Sequence, residues 1–267
     1  MKPESWNANK CAKYLRKPTA RDHKYRRGVL GCVTGSKQYP GAALLTTASA
    51  LGMGIGMVRY FGPEKVKRAV IQNRAEVVIQ TGKVDAYLLG SGIPAKRSLL
   101  RRFAMQRANR TKLPKVLDAG ALYLAGQSNS PNIITPHFGE LAELLNIRAA
   151  DIELNPLNYA IQAAQKFNCT VLLKGNRTIV TNGQRTIQLP SAPSWLATAG
   201  TGDVLAGILG ALLALNKDQV TKENLIEIGA TASYIHAEAA KLASNGPLSP
   251  SKLIDYIPQT VAHLTKK

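Results

Sequence analysis

Long hydrophobic runs are missing from this sequence. The longest, Val204–Leu215, has twelve residues, whereas a bilayer-spanning helix needs roughly 20. The run therefore reads as a buried helix, and no membrane partner is expected. Cysteine is scarce too: Cys11, Cys32 and Cys169 lie far apart, with neither metal-ligand nor disulfide spacing. That pattern predicts a reducing, cytoplasmic setting. No apolar core follows the polar, basic N-terminus, so no secretory signal is expected. Linker-like composition and internal repeats are absent as well. One domain over residues 1–267 is expected, with a basic N-terminal extension of about residues 1–27. At 45 % hydrophobic residues the chain is not disordered, and its length suffices for a large core.

Acidic residues are few: 16 Asp and Glu stand against 35 Lys and Arg, a formal charge of +19. One basic stretch runs from Lys10 to Arg27. A second holds Lys96, Arg97, Arg101, Arg102, Arg107, Arg110, Lys112 and Lys115, with no acidic residue between. Such stretches are either solvated helix faces or a field that attracts nucleotides, dinucleotides or nucleic acid. Aromatics are sparse among these basic residues (Tyr14, Tyr25 and Phe103), without the regular interleaving of a groove for single-stranded nucleic acid, which disfavours nucleic acid.

What is present is an alternation of short β-branched runs with longer helical patterns, the mark of an α/β domain with a largely parallel sheet. Strands are expected at Gly28–Val33, Met57–Phe61, Glu76–Gln80, Ala86–Leu89, Lys115–Leu117, Asn132–Thr135 and Thr170–Leu173. Arg177–Thr181 and Arg185–Leu189 flank Asn182-Gly183, which predicts a hairpin whose two central residues have positive φ. Ala42–Leu51 reads as a helix, Pro63 as the first position of another, and helices dominate from Thr201 onward.

Chemistry gathers in turns that follow strands. In Ala197–Gly207, glycines and threonines lead straight into the apolar helix. Backbone N–H groups at a helix start lack intrahelical partners, so Gly200, Thr201 and Gly202 can cradle a phosphate. A carboxylate there repels phosphate, and Asp203 makes sense as the base that takes a proton from an attacking hydroxyl. The competing reading is a helix cap made by Thr201 or Asp203. No Lys-Ser or Lys-Thr follows the glycines, so this is not a Walker A loop. Lys174 and Gly175 end a strand, where ligands of open parallel sheets bind. His137 and Glu140 follow another, as a substrate contact and a magnesium ligand through water. Gly35–Ala43 and Leu89–Pro94 are further glycine-rich turns after strands.

In order, A-T-A-G-T-G-D-V-L-A-G (Ala197–Gly207), T-P-H-F-G-E (Thr135–Glu140) and L-K-G-N-R-T (Leu173–Thr178) resemble the ADP- or ATP-dependent NAD(P)H-hydrate dehydratases, a branch of the ribokinase-like superfamily. The likeness runs from about Gly28 to Ala240. It implies a three-layer α/β/α domain, Mg2+, ADP or ATP as cosubstrate, hydrated NADH or NADPH as substrate, and a homotetramer. Carried over by motif, Asp203 is the catalytic aspartate and also touches substrate. Lys174, Gly175, Asn176, Arg177, Thr178 and Gly202 contact the nucleotide, while Ala42, Gly92 and His137 line the hydrated-nicotinamide site. Three places depart from the family pattern. Ala192–Leu196 replaces G-N-x-G-M, Asp118–Leu122 replaces D-A-D-A-L with Gly120 at its third position, and Gly90–Pro94 replaces G-x-G-x-G. Some members are fused to an epimerase domain, for which 267 residues leave no room; a separate epimerase is the corresponding partner.

The expected reaction is phosphorylation of the ring hydroxyl followed by elimination of phosphate, which restores NADH or NADPH. Two alternatives stand beside it. One is a kinase on the same fold acting on a vitamin-precursor alcohol. The other is a polyanion-binding protein on a degenerate enzyme fold.

Overall fold

A computed structural model describes residues 2–94 and 99–266, so Lys96 and Arg97 of the second basic stretch lie outside the described residues. The short apolar runs become nine strands: β1 (Glu4–Ser5), β2 (Val29–Val33), β3 (Met57–Tyr60), β4 (Ala86–Leu89), β5 (Lys115–Leu117), β6 (Asn132–Ile134), β7 (Thr170–Leu173), β8 (Ile179–Thr181) and β9 (Thr186–Gln188). They form one sheet in the order β1-β9-β8-β7-β6-β5-β4-β2-β3. Only the β7–β8 and β8–β9 pairs are antiparallel. Eleven α-helices accompany them among the described residues: α1 (Ala8–Ala12), α2 (Pro40–Gly52), α3 (Glu64–Asn73), α4 (Leu99–Asn109), α5 (Phe138–Leu145), α6 (Ala149–Leu154), α7 (Pro156–Phe167), α8 (Thr201–Leu215), α9 (Leu225–Ala243), α10 (Pro250–Asp255) and α11 (Ile257–Leu264).

Successive strand residues point to opposite faces of a sheet, and here both faces are covered. Leu88, Val116, Ile133 and Leu172 pack in one core with residues of α2, α8 and α9. Their neighbours Leu89, Leu117, Ile134 and Leu173 pack in the other with Met105 of α4, Leu141 of α5 and Ala160 of α7. The result is the expected three-layer α/β/α domain. Every residue of α8 from Val204 to Leu215 is buried, because that helix lies between the sheet and α2 and α9.

Four local expectations need correction. Glu76–Gln80 is not a strand: Val78 makes a single bridge to Arg59. The carbonyls of Gln80 and Thr81 instead accept from the Arg59 guanidinium at 2.8 and 3.4 Å. At the hairpin only Gly183 has positive φ. Asn182 shapes the turn with its side chain, its Oδ1 accepting from the N–H groups of Gln184 and Arg185. Pro63 is the N-cap of α3, one position before the helix. Finally, residues within the basic N-terminal stretch join the body. β1 pairs parallel with β9, and Trp6, Cys11, Tyr14 and Leu15 are buried in the core. Arg185 ties this segment down by bridging Glu4 and Glu227 at 3.0 and 3.1 Å.

Since β2, β4, β5, β6 and β7 run in parallel, the turns after all five open on the same edge of the sheet. The first turn of α8 meets them there.

Candidate active site

Asp118, the residue immediately after β5, is the hub of that edge. It is 3 % exposed. Its carboxylate accepts from Ser91 Oγ at 2.8 Å, Thr135 Oγ1 at 2.7 Å and Lys174 Nζ at 3.2 Å. Three turns, after β4, β6 and β7, are thereby fixed to a fourth. Lys174 Nζ also lies 3.6 Å from a Glu140 carboxylate oxygen. Gly202 sits over this lysine, since a Cβ built on it would come 3.7 Å from Nζ. The start of α8 therefore faces the ammonium group.

That start has the features of an anion cradle. Gly200 is the N-cap with φ +95°, and no side chain caps the helix. Thr201 turns its hydroxyl inward, donating to the carbonyls of Leu196 and Thr198, and its N–H reaches Thr198 O. Gly202 and Asp203 follow in the first turn, where an N–H group has no acceptor within the helix. The cap reading of Thr201 and Asp203 thus finds no support in the hydrogen bonding. Among the described residues, no side chain hydrogen-bonds the Asp203 carboxylate.

Electrostatics set the two charged groups apart. Burial, then the nearby charge of Asp118, pushes Asp203 up to about 7; Lys174 pulls it back and Glu140 adds to the rise. Burial alone would lower Lys174, but Asp118, Glu140 and Asp203 outweigh it and hold the ammonium above its ordinary value. The edge thus offers a permanent cation beside a carboxyl group that exchanges its proton near neutrality.

A cavity of about 400 Å³ opens beside them, lined by Lys174, Gly175, Asn176 and Thr178, by residues of 192–197, by Thr201, Gly202 and Leu205, and by Ser233, His236 and Ala237 of α9. Arg177 and Gly200 are not on its walls. Arg177 Nε donates to Ser191 Oγ at 3.0 Å, and Asn176 exchanges hydrogen bonds with the backbone of Ala192. These two residues hold the 191–192 segment in place. The departure at Ala192–Leu196 consequently falls on a wall of the cavity.

The remaining candidates sit outside it. Ala42, in the first turn of α2, and Gly92 are in contact: a Cβ on Gly92 would lie 2.3 Å from that of Ala42. His137 and Glu140 form a capping box on α5, Glu140 N–H donating to His137 Nδ1 at 3.2 Å and His137 N–H to Glu140 Oε2 at 2.8 Å. The imidazole itself is mostly exposed. The other two departures from the family pattern meet each other, for a Cβ on Gly120 would fall 1.8 Å from the Ile93 carbonyl oxygen.

Sequence reasoning missed Asp118 as a functional residue, together with Ser91, Ser233 and His236. For Asp118 a signal existed, since it follows its strand as directly as Lys174 follows β7. The α9 residues carry none, because only tertiary packing brings them to the cavity. Among the described residues no group of three His, Cys, Asp or Glu side chains is placed to hold a metal ion, and no helix is long and apolar enough to cross a membrane.

Comparison with known proteins identifies the family. A family model described as NAD(P)H-hydrate dehydratase matches residues 30–259. The chain is 34 % identical over 274 residues to the bifunctional NAD(P)H-hydrate repair enzyme Nnr of Mycobacterium leprae, covering 95 % of the chain and 55 % of that enzyme. It is 31 % identical over 236 residues to the ADP-dependent (S)-NAD(P)H-hydrate dehydratase of Neisseria meningitidis serogroup B, covering 82 % and 78 %. The chain thus spans about half the length of the bifunctional relatives it matches. Among solved structures, the ADP/ATP-dependent NAD(P)H-hydrate dehydratase of Bacillus subtilis, co-crystallised with ATP and Mg2+, superposes with a TM-score of 0.86 at 25 % identity over 99 % of both chains.

Proposed function

This chain belongs to the NAD(P)H-hydrate dehydratase family, and from that premise we propose that it dehydrates the S-form of hydrated NADH or NADPH at the expense of ADP or ATP. The observation that carries the proposal is Asp203: a carboxyl group raised to about 7, next in sequence to Gly202 on the wall of a nucleotide-sized cavity that Lys174 also lines.

Asp203 takes the proton of the ring hydroxyl as that oxygen attacks the terminal phosphorus. A new O–P bond forms, and AMP leaves from ADP, or ADP from ATP. Lys174 and the free N–H groups of the first turn of α8 hold the charge that develops on the transferring group. The ring nitrogen's lone pair then expels phosphate by breaking the C–O bond, and loss of a ring proton restores the dihydronicotinamide. Hydroxide is a poor leaving group and phosphate a good one, so the nucleotide drives a dehydration. The cavity takes the nucleotide through Lys174, Gly175, Asn176, Thr178, Thr201 and Gly202. Arg177 acts from outside the cavity by holding Ser191, and Ala42, Gly92 and His137 take the hydrated ring.

The rim suits magnesium, which keeps its waters and needs only one or two carboxylates beside substrate phosphates. Glu140, at the rim next to Lys174, would hold it through water, and the ion would neutralise phosphate charge. Family resemblance further supports a homotetramer in the cytoplasm, with an epimerase acting on the same substrate.

The test is incubation with hydrated NADH and either ADP or ATP. Recovery of the reduced-nicotinamide absorbance with release of inorganic phosphate is expected. A stable phosphorylated product would overturn the proposal in favour of a kinase.

A further inference from the structure

One wall of the cavity is a face of α9, where Ser233, His236 and Ala237 recur at the three- and four-residue spacing that aligns side chains. Two of these polar groups have opposite fates. His236 is committed to the protein: its Nε2–H lies 3.0 Å from the Thr201 carbonyl and donates to it, tying α9 to the start of α8. Ser233 is committed to nothing. It is 5 % exposed, and its buried Oγ has no hydrogen-bond partner. A helical serine ordinarily settles this by donating to a carbonyl one turn back. Thr231, two residues earlier, does so, to Glu227 O at 2.8 Å.

The rest of the lining explains what such a hydroxyl would meet. Among the described residues Lys174 is the only ionised side chain on the cavity wall, and Ala192, Pro193, Leu196 and Leu205 make much of the remainder apolar. One part of the cavity is thus cationic and suits phosphate. The other is uncharged and apolar with a single unsatisfied polar atom, which suits a flat heteroaromatic ring carrying hydrogen-bonding groups at its edge.

We propose that Ser233 reads the base of the bound nucleotide, its hydroxyl hydrogen-bonding the edge of a ring held between α9 and the 192–197 segment. The inference rests on the nucleotide-dependent reading given above and assigns a specificity residue within it. It also gives the departure at Ala192–Leu196 a consequence: this chain builds the opposing face of the base slot from its own residues.

Equilibrium binding of ADP, ATP and inorganic pyrophosphate to the wild-type protein and to Ser233→Ala tests it. The variant is expected to bind ADP and ATP about 3- to 10-fold more weakly, the effect of one hydrogen bond, and to raise the nucleotide KM at unchanged kcat. Pyrophosphate binding stays the same. Without ligand the variant melts no lower than wild type, because the hydroxyl makes no bond in the free protein. Equal ADP affinity in the two proteins, or an equal loss for pyrophosphate, would overturn the assignment. In the wild-type protein alone, ADP is expected to bind at least about tenfold more tightly than pyrophosphate, and parity would overturn it without any variant. If the wild type binds neither ADP nor ATP, the nucleotide-dependent reading fails first, so the two failures are distinguishable.

Discussion

Asp203 acts as a base only as a carboxylate, and burial opposes that charge. With Asp203 raised to about 7, kcat/KM is expected to climb with pH and level off above a midpoint near that value, in a pH–rate profile at low substrate. Asp118 contributes to the rise and Lys174 opposes it. Asp118→Asn should therefore move the midpoint down and Lys174→Met should move it up; shifts of the opposite sign would contradict the electrostatic picture. Asp203→Asn is expected to lose on the order of 10²–10⁴ in turnover while remaining folded. The same group shapes stability. Its folded pKa exceeds its ordinary 3.8, so between about pH 4 and 7 the folded chain holds a proton that the unfolded chain has released. This contribution to stability is full below that window and is lost as pH rises through it. Melting curves of Asp203→Asn against wild type should differ in pH dependence over that window.

At the level of elements, the sequence was readable where the determinants are local. β-branched runs marked β2 to β7, the Asn182-Gly183 turn marked β8 and β9, and the glycine-threonine turn marked the start of α8. What stayed hidden depends on distant partners. β1 exists because β9 offers an edge, and Glu76–Gln80 is reduced to a single bridge at Val78, with the Gln80 carbonyl turned to the Arg59 side chain. The site divides in the same way. Lys174, Gly202 and Asp203 could be read from their turns, whereas Asp118 became a hub only through Ser91, Thr135 and Lys174 folding onto it. Gly120 shows how a departure can be structural, because the Ile93 carbonyl occupies the space of its missing Cβ. Restoring the family's aspartate with Gly120→Asp is expected to destabilise the chain by about 1–3 kcal/mol through overpacking, measurable as a lower urea midpoint.

Across the whole molecule, some of the 35 Lys and Arg residues serve architecture. Lys13 pairs with Glu227, Arg16 with Asp22 and Lys217 with Asp85. Such pairs leave the net charge of +19 unchanged, and that excess makes a positive field suited to phosphate-bearing ligands. Association of ADP should slow as salt rises from about 50 to 200 mM, with a smaller change in dissociation, as stopped-flow traces would reveal. Uniform effects on both rates would point away from steering.

The burial of α8 has one last consequence, and it concerns time. A helix enclosed along its whole length after Asp203 cannot expose its amides without disrupting both neighbouring layers, so their hydrogens should exchange with solvent only when the entire domain opens. The aspartate is thus expected to be anchored to the slowest-exchanging part of the chain, while the 192–197 wall holds only a short 3-10 turn, Ser194–Leu196. Ligand-induced protection is therefore expected to concentrate in that wall. On the proposed mechanism, the base is expected to stay fixed while the slot for the nucleotide adjusts around it.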